Sequence, residues 1–335
     1  MLRRAGIGHG SPVPMKRNLG RGFDISLSIG GDNYSLGTDG QLSFLTMQLM
    51  NWAERALRSG TSHVLWGASV GPFESNPKAR SVMAEHLSRL SLITAREQHT
   101  CAYLAELGCA HNTVQVADPA FMMEPAGEVD LKLFPKDKLV LGVNLSELAV
   151  HHTFNTETDR QSCRQTIVQC LQMLLDNPEI HLLMVPHVCS IDPHLNDHFF
   201  MSELTKHIER GRERITILPQ NIGGPKTKAY LAKCGIVIAA RMHCAVGALS
   251  CAVPTLLIQY STKAAGMAQY AYGNEDFCLP LATMTPDSLK PLVTSMIAER
   301  ETITARLRAS RPRWEEDARL GAKSLTRLEA ATGTL

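Results

Sequence analysis

The chain has 335 residues, 44% of them hydrophobic and 20% charged, and its 34 Lys+Arg against 32 Asp+Glu leave a net charge of +2. That balance creates no field that would draw in nucleic acid or an acidic membrane surface, and the length suggests about two domains of roughly 150 residues each. The nine cysteines stand singly in apolar patterns, with no C-x-x-C and no finger-type Cys/His spacing, which predicts reduced core thiols in a cytosolic protein rather than a disulfide framework.

Residues 1–23 are basic but rich in Gly and Pro and lack an apolar stretch, so they read as an irregular segment and not as a signal peptide. No run reaches about 18 apolar residues without an Arg, His or Pro, which argues against a membrane span. From Asp24 onward short β-rich runs alternate with stretches of helical period. DISLSIGG, HVLWGASVG, SLITARE and VQVAD read as strands; QLSFLTMQLMNWAERALRSG, PKARSVMAEHLSRL and HTCAYLAELG between them read as helices. This is the βαβ pattern of a parallel sheet covered by helices.

The alternation breaks between Phe121 and Lys138, where MMEPAGEVDLKLFPKDK carries two prolines and mixed charge, and a second one follows. KLVLGVNLS, HLLMVPHV, RITILPQN, GIVIAAR and VPTLLIQYS supply at least five strands, with helices predicted near Glu157–Leu175 and Leu195–Glu209 and over KTKAYLAKC, HCAVGALSC and TKAAGMAQYA. The tail from Thr285, with Pro286 at a first helical position, is helical and charged. The expected organisation is an N-terminal α/β domain over 24–124, a linker over 125–137, a C-terminal α/β domain over 138–282 and terminal helices over 283–335.

In open α/β sheets ligands sit beyond the carboxyl ends of the strands. In the first domain those ends carry Gly30, Gly31, Asp32, Ser69, Arg96 and Asp118; in the second they carry Asn144, Ser146, His187, Gln220, Arg241, Met242, His243, Ser261 and Lys263. Arg241 ends an apolar strand and Met242-His243 open a helix, so the unpaired N–H groups of that first turn and the guanidinium can serve one anion. The alternative is that Arg241 pairs with a core carboxylate while His243 caps its own helix. Arg96 beside Glu97 reads equally as an internal ion pair, His187 as a satisfied core histidine, and Lys263 as an exposed lysine or a phosphate contact. Gly30-Gly31 lacks any nucleotide fingerprint, and Asp118 before Pro119 reads as a turn residue. His151-His152 and Asp192/His194 show no helical ligand spacing, so no metal site is expected.

The ordered set GG, GASVGP, SLITARE, VQVADPAF, GVNLS, VPH, IAARMH, VP and YSTKAAG, from about Asp24 to Gly273, resembles the polysaccharide pyruvyl transferase family. The resemblance implies two facing Rossmann-like domains in a glycosyltransferase-B-like arrangement. Here the first domain looks shortened at its N-terminus, because the family's opening βα unit with its Gly-rich loop is not found before Asp24. It implies transfer of the pyruvyl group of phosphoenolpyruvate to sugar hydroxyls, with Arg241 and His243 as the family's R-x-H element and Arg96 as a second donor-binding arginine. Phosphoenolpyruvate would be a co-substrate, with no cofactor beside it. The partner would be a glycan or lipid-linked sugar acceptor for polysaccharide and cell-envelope synthesis, in the cytoplasm or peripheral to the inner face of the membrane, and the chain leaves room for a homo-oligomer. His243 is assigned as phosphate contact or acid and His187 as the weaker candidate base. A nucleotide-sugar glycosyltransferase of the same shape and an inactive anion-binding scaffold are the competing expectations.

Overall fold

The computed structural model describes Asp24–Thr332 apart from Asp32 and Thr38. The basic segment 1–23 and the candidate Asp32 therefore lie outside the described residues. The chain divides into two units, one running to Pro119 and resuming at Glu315, the other spanning Ala120–Trp314.

In the first unit four parallel strands, β1 (Ile25–Ile29), β2 (Ser62–Ala68), β3 (Leu92–Ala95) and β4 (Thr113–Gln115), pair in sequence order. The connecting helices are α1 (Phe44–Arg58), α2 (Pro77–Ser88) and α3 (Gln98–Glu106). Ser43 caps α1 through the Thr46 amide and Asn76 caps α2 through the Ala79 amide, with Pro77 opening that helix where a missing N–H is harmless. One sheet face contributes Leu65, Ile93 and Ala95 to a core with Met83, Leu87 and Leu104, all fully buried. Each such large side chain contributes about 1.5–3 kcal/mol. Among the described strands β1 stands at an end of the order, and the alternation of its side chains leaves Leu27 and Ile29 exposed while Ser26 and Ser28 face the buried His63. Burial pushes that imidazole down to about 4.

The second unit holds six parallel strands in the order β10-β9-β8-β5-β6-β7, from β5 (Leu139–Asn144), β6 (Ile180–Met184), β7 (Ile215–Ile217), β8 (Ile236–Ala239), β9 (Thr255–Gln259) and β10 (Cys278–Pro280). Counted within the unit this is the 3-2-1-4-5-6 order of a doubly wound dinucleotide-type sheet, whose direction reverses between β5 and β8. Its helices are α4 (Glu147–Thr153), α5 (Glu157–Leu175), α6 (Asp197–Lys206), α7 (Gly224–Leu231), α8 (Met242–Ser250), α9 (Thr262–Tyr272) and α10 (Pro286–Ala298). A long helix α11 (Arg300–Thr332) follows; up to Trp314 it belongs to this unit, and beyond it to the first, where Gly321 lies against the Trp66 ring.

The segment 125–137 is folded onto the second unit. Lys228 of α7, buried, donates to the Ala120 and Met123 carbonyls, the Ala126 amide bonds the Pro225 carbonyl, and Phe134 stacks on Tyr230. Burial lowers the Lys228 pKa. The terminal helices are likewise divided between the two units rather than forming a body of their own. Among the described residues no helix is long and apolar enough to cross a membrane.

Candidate functional site

The reversal point of the second sheet is stitched by one buried amide. Asn144, the last residue of β5 and fully buried, accepts from the Arg241 backbone N–H at 2.8 Å and donates to the Val185 carbonyl at 2.9 Å. It thereby ties the ends of β5, β6 and β8 together, which explains a polar residue at the end of an otherwise apolar strand.

Asp197 completes the arrangement, and nothing at the sequence level marked it as a partner of Arg241. Its carboxylate is fully buried at the first turn of α6, which Asn196 caps. It accepts the His187 and Val188 amides at 3.2 and 3.0 Å, and Arg241 donates to it through Nη2 at 2.8 Å and Nε at 3.2 Å. Arg241 thus does pair with a carboxylate inside its own unit, as one of the two sequence readings had it. Asp197 takes the Nε–Nη2 edge of the guanidinium, leaving the Nη1 edge outside that pair. The only sequence signal for Asp197 was the N-cap pattern Asn-Asp before an apolar run, which marks a helix start and carries no hint of Arg241.

Arg241 also stands at the N-cap position of α8, with no side chain capping that end. The helix behind it, MHCAVGALS, is buried almost throughout and small enough that Gly247 sits against Leu231. Met242 and His243 form the first turn of α8, so a guanidinium and the positive end of a helix share one place. His243 is exposed and Met242 half-buried.

His187 follows β6 beside this group. Burial pushes its imidazole down to about 4 against the opposing pull of Asp197, with His243 and Arg241 close enough to lower it further. It is therefore neutral at neutral pH, and its Nδ1 is buried without a hydrogen-bond partner among the described residues. From the end of β9, Tyr260 has its phenol pKa raised by burial, with Arg241 and Asp197 both near enough to act on it. Lys263, in the first turn of α9, is lowered to about 8 by burial. Ser261 is the N-cap residue of α9 but makes no capping bond. Gln220 stands farther along the strand ends, exposed, accepting from Asn196 at 3.1 Å. The second unit therefore gathers Asn144, His187, Arg241 and His243 with Asp197 and Tyr260.

In the first unit Arg96 is buried between two carboxylates, with Nε 3.0 Å from Glu97 and Nη1 2.6 Å from Asp118. Glu97 also accepts from Ser69 at 2.8 Å and from Thr100 at 3.1 Å. The turn after β1 closes over this network: a Cβ on Gly31 would press on Arg96 Nη2, which Glu97 and Asp118 hold in place, so the position favours glycine. Gly30 adopts φ +142°, where side chains are strained. Ser69 and Asp118 thus have packing and charge-balancing work to do, and the charge of Arg96 is already compensated within its own unit.

Several solved structures share this fold. A putative UDP-N-acetylglucosamine 2-epimerase from Listeria monocytogenes is 13% identical, with TM-score 0.60 over 93% of this chain and 75% of that one. Sucrose-phosphate synthase from Thermosynechococcus elongatus is 14% identical, with TM-score 0.59 over 94% and 76%. MnaA of S. aureus, solved with UDP, is 12% identical, with TM-score 0.61 over 93% and 77%. At such identities the likeness is one of fold, two Rossmann-like α/β units of the glycosyltransferase-B type. No curated protein matches the chain. The sequence model of one family does, across residues 11–262, which includes the reversal point and the whole Arg241-Met242-His243 turn, and the chain belongs to the polysaccharide pyruvyl transferase family.

Proposed function

We propose that the protein transfers the pyruvyl group of phosphoenolpyruvate to hydroxyls of a glycan precursor, free or lipid-linked, forming a pyruvate ketal and releasing phosphate. The observation that carries this reading is Arg241, held by Asp197 and Asn144 at the reversal point of a doubly wound sheet and at the uncapped N-terminus of α8. A compact donor with a carboxylate and a phosphate suits a fork and a helix end that act together.

The chemistry requires a proton on the methylene carbon, addition of a hydroxyl oxygen at the adjacent carbon with loss of its proton, and displacement of phosphate by a second hydroxyl. In the proposed division, Arg241, Lys263 and the Met242 and His243 amides bind the donor. His243, at the mouth of the site, delivers or takes a proton. His187, neutral and half-buried with its Nδ1 buried, accepts the hydroxyl proton, and a dianion bound beside it raises its proton affinity from that depressed value. Arg96 is proposed for a lesser part in donor binding, since Glu97 and Asp118 already balance it.

Calorimetric titration with phosphoenolpyruvate and with UDP-sugars tests this. Binding of phosphoenolpyruvate alone, weakened at least tenfold in Arg241→Lys, is the expected result. Binding of a UDP-sugar alone would make the chain a nucleotide-sugar enzyme, and binding of neither would leave a scaffold.

A further inference from the structure

A second constellation lies on α4 and on the loop that follows β6. Glu147 opens α4, buried, and His151 stands one turn later on the same helical face, its Nε2 3.0 Å from Glu147 Oε1. His194 comes from the 3₁₀ turn Pro193–Leu195, its ring centroid 5.9 Å from that of His151 with the planes at 64°. One donor atom from each of the three lies within 4.8 Å of the other two.

The Nε2 of His151 is buried and has no hydrogen-bond partner among the described residues. The short approach to Glu147 therefore lacks hydrogen-bond alignment; nitrogen and oxygen sit side by side, as two ligands of one ion do. We propose that Glu147, His151 and His194 form a binding site for a divalent transition-metal ion of the zinc class. Two imidazoles and one carboxylate are the donor set such ions favour, and a tetrahedral ion with bonds of about 2.1 Å holds its ligands roughly 3.4 Å apart. The Glu147–His151 spacing is already near that, and the exposed His194 closes the remainder by side-chain rotation.

Arg164 of α5 donates to both oxygens of Glu147, through Nε at 3.3 Å and through Nη2. It fixes the carboxylate's orientation in the manner of an outer-shell partner, while its charge opposes the ion and moderates the affinity. Glu147, Arg164 and His194 also line a cavity of about 590 Å³ with Phe199 and Leu204, which gives the ion an approach from solvent. Once bound, the ion fastens the loop between Val188 and Asn196 to α4, close to where Asp197 holds the base of that loop.

The sequence concealed this site because its i,i+4 pair is Glu147 and His151, while the third ligand lies on a distant loop. The inference is independent of the proposed transferase chemistry. It is tested by stripping the full-length protein with a chelator and titrating it with Co²⁺ and Zn²⁺, followed by calorimetry and by the visible spectrum of cobalt. One equivalent bound, with ligand-field bands but no thiolate charge-transfer band, and affinity reduced at least tenfold in His194→Ala, is the expected result. His194 is exposed, so that variant keeps the fold, and far-UV circular dichroism verifies it. Absence of stoichiometric binding, a thiolate band pointing to the cysteines, or unchanged affinity in His194→Ala would each overturn the assignment.

Discussion

Arg241 and Asp197, 44 residues apart in sequence, meet in a two-point contact, Nη2 and Nε of the guanidinium lying 2.8 and 3.2 Å from the same carboxylate oxygen. The carboxylate side chain is 1% exposed and the guanidinium 12%. Removing one member of such a pair strands the other, because its desolvation is no longer compensated.

Asp197→Asn is therefore expected to destabilise the protein by about 3 kcal/mol, the low end for breaking a buried pair, since Arg241 keeps some contact with water. Arg241→Lys keeps the charge but not the fork, and should lose less stability while weakening phosphoenolpyruvate binding at least tenfold. Urea denaturation and calorimetry read the two effects separately. Equal stability of Asp197→Asn and wild type would refute the role given to the carboxylate.

Lys263 gives a pH signature. Its pKa in the folded protein is lowered from 10.5 to about 8, so near pH 8 a substantial fraction is uncharged. An anion binding beside it favours the ammonium form, so binding of phosphoenolpyruvate at pH 8 to 9 should take up a proton and weaken as pH rises. Titration in buffers of different ionisation enthalpy measures that uptake. If Lys263→Met shows the same uptake as wild type, the lysine is not a donor contact.

His63 and His187, one in each unit, are both pushed from 6.5 down to about 4. Between those values the unfolded chain binds protons that the folded one refuses, so stability falls as pH drops from about 6.5 toward about 4. Each group contributes about 3 kcal/mol to the loss. Urea midpoints measured from pH 7 to pH 4.5 should decline steadily, and less steeply in His63→Gln. A flat profile would mean that these imidazoles are not buried in the neutral form.

Gly31→Ala places a methyl group against Arg96 Nη2, which Glu97 and Asp118 hold in place. Overpacking of this kind costs about 1–3 kcal/mol. Thermal denaturation should show the loss, and Arg96→Lys in the same chain should recover part of it. A Gly31→Ala protein as stable as wild type would place Arg96 elsewhere.

Much of the fold was legible from hydrophobic period and caps. The helix expected near Glu157–Leu175 is found over those residues, where the structure adds a cap from Thr156 to the Asp159 amide. The second sheet's strands were readable as β-branched runs ending in polar residues, and Arg241 stood out because it interrupts one of them. Four features were not legible. α4 has seven residues, too few for a period to declare itself, and β10 has three. Asp197 reads as an ordinary first-turn acid until the fold sets Arg241 against it. Lys228 reads as a surface lysine on KTKAYLAKC, yet the carbonyls of Ala120 and Met123 satisfy its ammonium where it is buried. For Asp197 and Lys228 the deciding partner lies far along the chain, and local pattern carries no information about it.

Asp197 also serves two clients at once: a guanidinium on one side and the consecutive amides of His187 and Val188 on the other. If the carboxylate follows a guanidinium drawn forward by an anion, its bonds to those amides lengthen, so occupancy of the anion site is expected to register at the start of the neighbouring loop. The arginine then behaves as a lever with the carboxylate as its fulcrum. Faster amide exchange at Val188 on saturation with phosphoenolpyruvate would register the movement; exchange that stays the same or slows would mean the fulcrum does not give.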